Sequence, residues 1–220
     1  MSILVIAPHA DDEILGVGGT MIKAIANHED VSVCIVTRAA EPVFSEDVFR
    51  RIRQETLECH KFLGVKKTFF LEFPAVMLET AKRYEINNSI LAVVEEVKPD
   101  EVYIPHIGDM QKDHQIVTDA AMVALRPKGN HKVRRIYTYE TLSETGWNLP
   151  NVQNEFIPNV YSDIGSFLDK KLEAMKIYAS QLGEFPNPRS LGAIEALARY
   201  RGSTVQTMAA EAFALVREIK

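Results

Sequence analysis

Three acidic residues and an imidazole fall within five positions of the chain, as His9, Asp11, Asp12 and Glu13 in the stretch VIAPHADDE. Carboxylates this close repel one another, so the grouping costs stability unless a cation or a proton-transfer task compensates for it. A second group of similar make-up, PHIGDMQKDH, supplies His106, Asp109, Gln111, Asp113 and His114. Histidines and carboxylates arriving from two separate segments match the donors of a catalytic zinc site, which takes a few N/O ligands and keeps a position open for water. His9 and Asp12 can turn toward one point within a tight loop. A third ligand then has to come from the second segment, with His114 at a helix start as the choice and His106 as its rival.

Plainer roles exist for each cluster alone. Asp11, Asp12 and Glu13 could complement the positive end of a helix, and Asp113 could be a helix N-cap. One cap per helix suffices, however, and this account leaves His9 and the second cluster unexplained. His28, His60 and His131 sit in helix-end, mid-helix and loop settings and read as surface or packing residues. The GVGG at 16–19 fails the dinucleotide pattern G-x-G-x-x-G because Met21 stands at the third glycine position, and it falls inside a helix. Close helix–strand packing explains it better. Ser143, Ser180 and Ser190 lack a nucleophile-elbow context, and there is no Walker A sequence. FPNPRS holds Asn187 and Arg189 in a proline-bracketed loop that can offer donors to a sugar hydroxyl, carboxylate or phosphate, with Ser190 suited to cap a following helix. Glu211 and Phe213, in AEAF, read as a surface carboxylate and the core of a C-terminal helix.

The elements needed to position these residues can be traced in order. SILVIAP, VSVCIVT, TFFLEF, EVYIPH and RRIYTYET read as strands. Helical periodicity fills the intervals, over ILGVGGTMIKAIANH, 46–63 with a stop at Gly64, YEINNSILAVVEEV before Pro99, and DHQIVTDAAMVAL before Pro127. Such alternation predicts an α/β fold, a Rossmann-like three-layer sandwich with a mostly parallel sheet. In such sheets ligands bind beyond the carboxyl ends of the strands, which places both clusters on one edge. After about residue 142 the rhythm changes to a loop-rich stretch, a strand in FIPNVYSDI, a helix in SFLDKKLEAMKIYASQL, and helical sequence to the end. The segment 143–220 has too few apolar elements for its own core, so it is expected to be a helical and loop cap on one domain spanning 1–220.

The 220 residues are 46% hydrophobic and 25% charged, with a net charge of −5, which excludes a disordered or fibrous chain. No basic face stands out, so no nucleic-acid partner is expected. Two isolated cysteines, Cys34 and Cys59, fit a reduced, cytoplasmic protein, and no stretch suits a signal peptide or a permanent membrane anchor. A homo-oligomer is compatible with this composition.

The chain resembles the PIG-L/LmbE-like family of zinc-dependent N-deacetylases. APHADDE is similar to the family's H-x-D-D-E signature after the first strand, GDMQKDH to its later ligand segment, and YASQL, PNPRS and AEAF follow in the expected order. The resemblance implies removal of acetyl from an N-acetylglucosamine-type sugar or conjugate, with acetate released. It implies Zn2+ held by His9, Asp12 and His114, another divalent ion such as Fe2+ being the alternative, and Asp11 as general base. Glu13 and Asp113 are then orienting groups behind the ligands. Gln111 or His106 would assist the oxyanion, and Asp109, Asn187 and Arg189 would meet the substrate. Ala10 stands where the family usually has proline, Gln111 where many members have an oxyanion-stabilising histidine, and Asn187 where many have histidine. The competing classes are a metal-dependent phosphoesterase, which usually needs more bridging carboxylates, and a silent sugar- or nucleotide-binding module.

Overall fold

The computed structural model describes residues 1–128 and 131–220. Five strands, β1 Ser2–Ala7, β2 Asp30–Arg38, β3 Lys67–Pro74, β4 Glu101–Pro105 and β5 Arg135–Tyr139, alternate with α1 Asp12–Ala26, α2 Glu46–Leu63, α3 Arg83–Val97 and α4 Lys112–Ala124. A short 3-10 turn, Leu78–Thr80, precedes α3. There follow β6 Val160–Asp163, α5 Leu168–Ile177, α6 Leu191–Ser203 and β7 Ala210–Glu218. The strands form one seven-stranded sheet in the order β3-β2-β1-β4-β5-β7-β6. β1 to β5 pair in parallel, whereas β7 runs antiparallel to both β5 and β6.

The near-continuous apolar runs of β1 and β2 are what a parallel sheet covered on both faces requires. The strand period sorts their side chains. Ile3, Val5 and Ala7 pack toward α1, α2 and α5, while Leu4 and Ile6 pack toward α3 and α4. Helix α2 stops at Gly64, whose φ of 89° lies in the left-handed region that a residue lacking Cβ adopts freely. The glycines of GVGG serve packing, as expected. A Cβ on Gly16 would lie 2.2 Å from Cδ2 of Tyr139, the buried tyrosine whose hydroxyl donates to the Ile6 carbonyl at 3.0 Å.

The sheet, the layers and the first nine elements follow the sequence reading closely. One helix starts earlier than expected. α1 begins at Asp12, so Asp12 and Glu13 lie in its first turn rather than in the preceding loop. The C-terminal segment departs more. Residues 210–218 are not helical but form β7, wedged between β5 and β6. Alanine and glutamate favour helices in isolation, but ladders on both sides decide the matter here.

The strand order reverses between β1 and β4, so their carboxyl ends open a crevice, the usual ligand position in an open α/β sheet. The segments after these two strands carry both acidic and histidine clusters.

Candidate metal and catalytic centre

His9 follows β1 in the turn leading to α1, and His114 lies in the first turn of α4. Between them, Asp12 Oδ2 stands 3.2 Å from His9 Nδ1 and 3.2 Å from His114 Nε2. One ligand atom from each of His9, Asp12 and His114 can be chosen so that all lie within 4.8 Å of one another. Both imidazoles are held from behind. His9 Nε2 donates to Asp113 Oδ2 at 2.9 Å, and His114 Nδ1 donates to Asp109 Oδ2 at 2.9 Å. These bonds fix the tautomers that leave His9 Nδ1 and His114 Nε2 facing inward, the carboxylate–histidine arrangement that orients and strengthens metal ligands.

The charges show why this arrangement fits a cation. Burial alone would lower both imidazoles, yet the bonds to Asp113 and Asp12 hold His9 up at about 9. Against the same burial, Asp12 and Asp109 hold His114 up at about 10. Asp12 is buried too, but His114 and His9 keep its carboxyl well below the usual range. His114 Nε2 and Asp12 Oδ1 are nevertheless buried without a hydrogen-bond partner among the described residues. Orphaned polar atoms are costly and rare. A divalent ion would satisfy the inward-facing donors, so the residues present fit a metal.

Asp11 stands next to this group with a separate assignment. It occupies the N-cap position of α1, but its side chain makes no cap bond. Its backbone is held at φ 117°, a conformation that L side chains rarely adopt. The Asp11 N–H donates to Glu13 Oε2 at 3.1 Å, and its carbonyl accepts from Ile14 and Leu15 at 3.0 and 2.9 Å. Neither carboxylate oxygen of Asp11 has a hydrogen-bond partner among the described residues, although the residue is only 1% exposed. The nearest cation is Arg189, with Nη1 3.7 Å from Oδ2. Burial pushes the Asp11 carboxyl up to about 8 even though Arg189 pulls it down.

Glu13 lies beneath the site and supports it. Its carboxylate accepts from the Asp11 N–H, from the Tyr178 hydroxyl at 2.6 Å and from His60 Nε2 at 3.2 Å, while His60 Nδ1 meets Thr68 Oγ1 at 2.7 Å. Asp113 is no N-cap. Gln111 takes that position in α4, accepting from the Asp113 N–H at 2.6 Å, and Asp113 instead serves His9 and the N–H groups of Val76 and Leu78.

An open cavity of about 570 Å³ adjoins the site, with His9, Asp11, Gln111, Glu144 and Arg189 in its lining. Three expected residues lie elsewhere. Asp109 does not face the cavity. It is fully buried and accepts from His114 and from the Thr145 hydroxyl at 2.6 Å, so it orients a histidine rather than meeting substrate. His106 turns aside because its Nε2 donates to the Asn154 carbonyl at 3.1 Å and Phe156 packs against its ring edge. Asn187 is exposed and folds onto its own loop, accepting from the Arg189 N–H at 2.8 Å; it shapes the loop that aims Arg189. Ser190 caps α6, as expected. The sequence reading missed Glu144 and Thr145, which lie in the stretch read as loop-rich, and gave His60 no place beneath the site. Tyr178 fell within the quoted YASQL, with nothing local to tie it to Glu13.

Glu211 requires the other correction. It is buried rather than on the surface, and it accepts from the N–H groups of Gly19 and Thr20 at 2.7 Å each and from Lys171 Nζ at 2.6 Å.

Fold and site together define an open α/β protein with a histidine–aspartate cluster at the switch point and an uncommitted carboxylate beside it. Residues 4–125 match the PIG-L family, described as GlcNAc-PI de-N-acetylase, and the chain belongs to that family. It is 25% identical over 193 residues to the diacetylchitobiose deacetylase of Thermococcus kodakarensis, covering 83% of this chain and 70% of that one. Among solved structures, the conserved protein TT1542 of Thermus thermophilus superposes with a TM-score of 0.80 at 24% identity, over 99% of this chain and 96% of that one. A 4-carboxy-2-hydroxymuconate hydratase, GalB of Pseudomonas putida, shares the fold with a TM-score of 0.81 at 18% identity, covering 100% of this chain and 97% of that one. The fold thus carries more than one chemistry, and the site has to decide. None of the described helices is long and apolar enough to cross a membrane.

Proposed function

We propose that the chain is a metal-dependent N-deacetylase that acts on an N-acetylglucosamine-type sugar or sugar conjugate and releases acetate and a free amine. The observation that carries this reading is Asp11, a buried carboxylate without a hydrogen bond, held in a strained backbone conformation beside three inward-facing ligand atoms. Its relatives' deacetylase activity supports the choice of bond. His9, Asp12 and His114 would hold the ion, Zn2+ on the chemistry of the donors with Fe2+ as the alternative. When bound, such an ion supplies Lewis acidity toward the amide carbonyl and makes water more acidic.

The remaining steps belong to the protein. Asp11 accepts a proton from the attacking water as its oxygen bonds to the acetyl carbon. Burial raises the affinity of this carboxylate for a proton. Asp11 then returns that proton to the nitrogen as the C–N bond breaks, because an unprotonated amine leaves poorly. Gln111, whose Nε2 lies 3.4 Å from His9 Nε2 in the cavity wall, can donate a hydrogen bond to the developing oxyanion. Arg189 steadies the Asp11 charge and lines the cavity in which the sugar would sit.

The test is acetate and amine release from N-acetylglucosamine, its glycosides and diacetylchitobiose. Release is expected with added Zn2+ or Fe2+, lost with a chelator and restored by metal. Metal-loaded protein that releases acetate from none of them would defeat the proposal.

A further inference from the structure

The cavity beside Asp11 has two unlike walls. One carries Gln111, Glu144, Ser180, Gln181 and Arg189. The other, apolar part of the lining carries Ala39, Phe44, Val48, Ile52, Ala75 and Val76, and Ser180 joins the two parts where its N–H and hydroxyl donate to Glu55 of α2. Phe44, Val48 and Ile52 recur every fourth residue, so they fall on one face of α2 and its lead-in. All three are half-buried and line the cavity.

Apart from the Arg38 guanidinium, most polar groups along this second part of the lining are already committed. The Thr37 N–H and hydroxyl both donate to the Pro8 carbonyl, at 3.0 and 2.8 Å, so neither has a proton left to offer a ligand. The Ala75 N–H donates to the Arg38 carbonyl at 2.9 Å, and the Val76 N–H to Asp113 Oδ2 at 2.7 Å. Arg38 pairs with Glu72 at 3.6 Å and stacks over Phe49. Against Phe44, Val48 and Ile52 a sugar hydroxyl would lose water and find no side-chain partner, whereas an apolar group would lose nothing. The first wall, by contrast, offers an amide, a carboxylate and a guanidinium. At about 570 Å³ the cavity also lies within the range of ligand sites that enclose most of a medium-sized molecule.

We infer that the α2 wall binds an apolar group carried by the substrate, so that the substrate is an N-acyl amino sugar bearing an aryl or alkyl part either on its anomeric oxygen or within its acyl group. This rests on the deacetylase reading and narrows it. Three compounds separate the two positions: methyl N-acetylglucosaminide as reference, phenyl N-acetylglucosaminide, and the methyl glycoside carrying N-phenylacetyl in place of acetyl. Each is assayed for amine release by the metal-loaded protein and for direct binding to chelator-treated protein by calorimetry.

At least one apolar compound should exceed the reference by about tenfold or more in kcat/KM and in affinity. In Val48→Asn and Ile52→Asn the ratio should fall toward one, and the compound that gains shows which end of the substrate meets the wall. Equal values for all three compounds in both measurements would overturn the inference and leave the proposed function standing. A preference that survives in both variants would also overturn it, since the apolar group would then bind elsewhere. If no compound releases amine, the deacetylase reading fails, and the ranking of affinities alone decides whether the wall is apolar in function.

Discussion

Helix α1 meets buried carboxylates at two levels, and they differ in what surrounds them. Midway along it, Glu211 reaches in from β7 and both of its carboxylate oxygens are paired. It accepts from two successive backbone N–H groups and from Lys171, whose Nζ also donates to the Leu15 carbonyl at 2.8 Å. At the N-terminus of the same helix, among the described residues, Asp11 has two unpaired oxygens and Asp12 has one. Burial costs a carboxylate dearly unless donors compensate. The satisfied one fastens β7 and α5 to α1. The unsatisfied pair stores a cost that a cation and a substrate would relieve, which is how functional carboxylates differ from structural ones.

The sharpest way to break this contrast is to remove a ligand. Asp12→Ala and His114→Ala should lose bound metal and lower kcat/KM by about 10⁴-fold or more, checked by metal analysis alongside acetate release. Asp11→Asn should separate the functions within the pair. It should keep full metal content while turnover falls by about 10²–10⁴-fold, and its melting temperature should not drop, because the change removes a buried charge without removing a hydrogen bond. An Asp11→Asn protein with near-normal turnover would reduce Asp11 to a strained helix terminus.

Glu211→Ala should do the reverse. Leaving Lys171 buried without its partner should cost about 3–5 kcal/mol of stability, read from the denaturant midpoint. Activity per folded molecule and metal content should be unchanged. Lys171→Met sharpens the point, since Glu211 would keep both backbone donors, and it should cost less than Glu211→Ala. If Glu211→Ala instead lost metal, the two levels of the helix would be coupled and the contrast would fail.

The two regions also differed in how readable they were. The parallel half could be read from sequence because each strand is a short apolar run between helices with clear stops, such as Gly64 and Pro99. The acidic and histidine clusters were legible because they sit directly after β1 and β4, where sheet geometry alone brings them to one edge. What lay hidden depends on long-range pairing. AEAFALVRE is helical by propensity and becomes a strand only because β5 and β6 lie on either side. Glu211 and Lys171 are 40 positions apart, and Tyr178 is 165 positions from the Glu13 it bonds, so no local pattern announces either contact. Asp109 was placed at the correct edge, but which way its side chain turned was set by Thr145 and His114, not by spacing.

Asp109 therefore offers the finest test of the comparison. Like Glu211 it is buried and fully hydrogen-bonded, but one of its partners is the ring of an inward-facing histidine. In Asp109→Asn the size is kept while the charge that makes His114 a stronger ligand is lost. Metal affinity, measured by competition with a chromogenic chelator, should fall by about 10–100-fold, and Thr145→Val, which removes a donor to Asp109 rather than to the ring, should fall by less. Glu211→Gln should leave the same titration unmoved. Were Asp109→Asn to bind metal as tightly as the unaltered chain, hydrogen-bond satisfaction alone would describe Asp109 completely, and it would belong with Glu211 among the carboxylates that only hold the fold together.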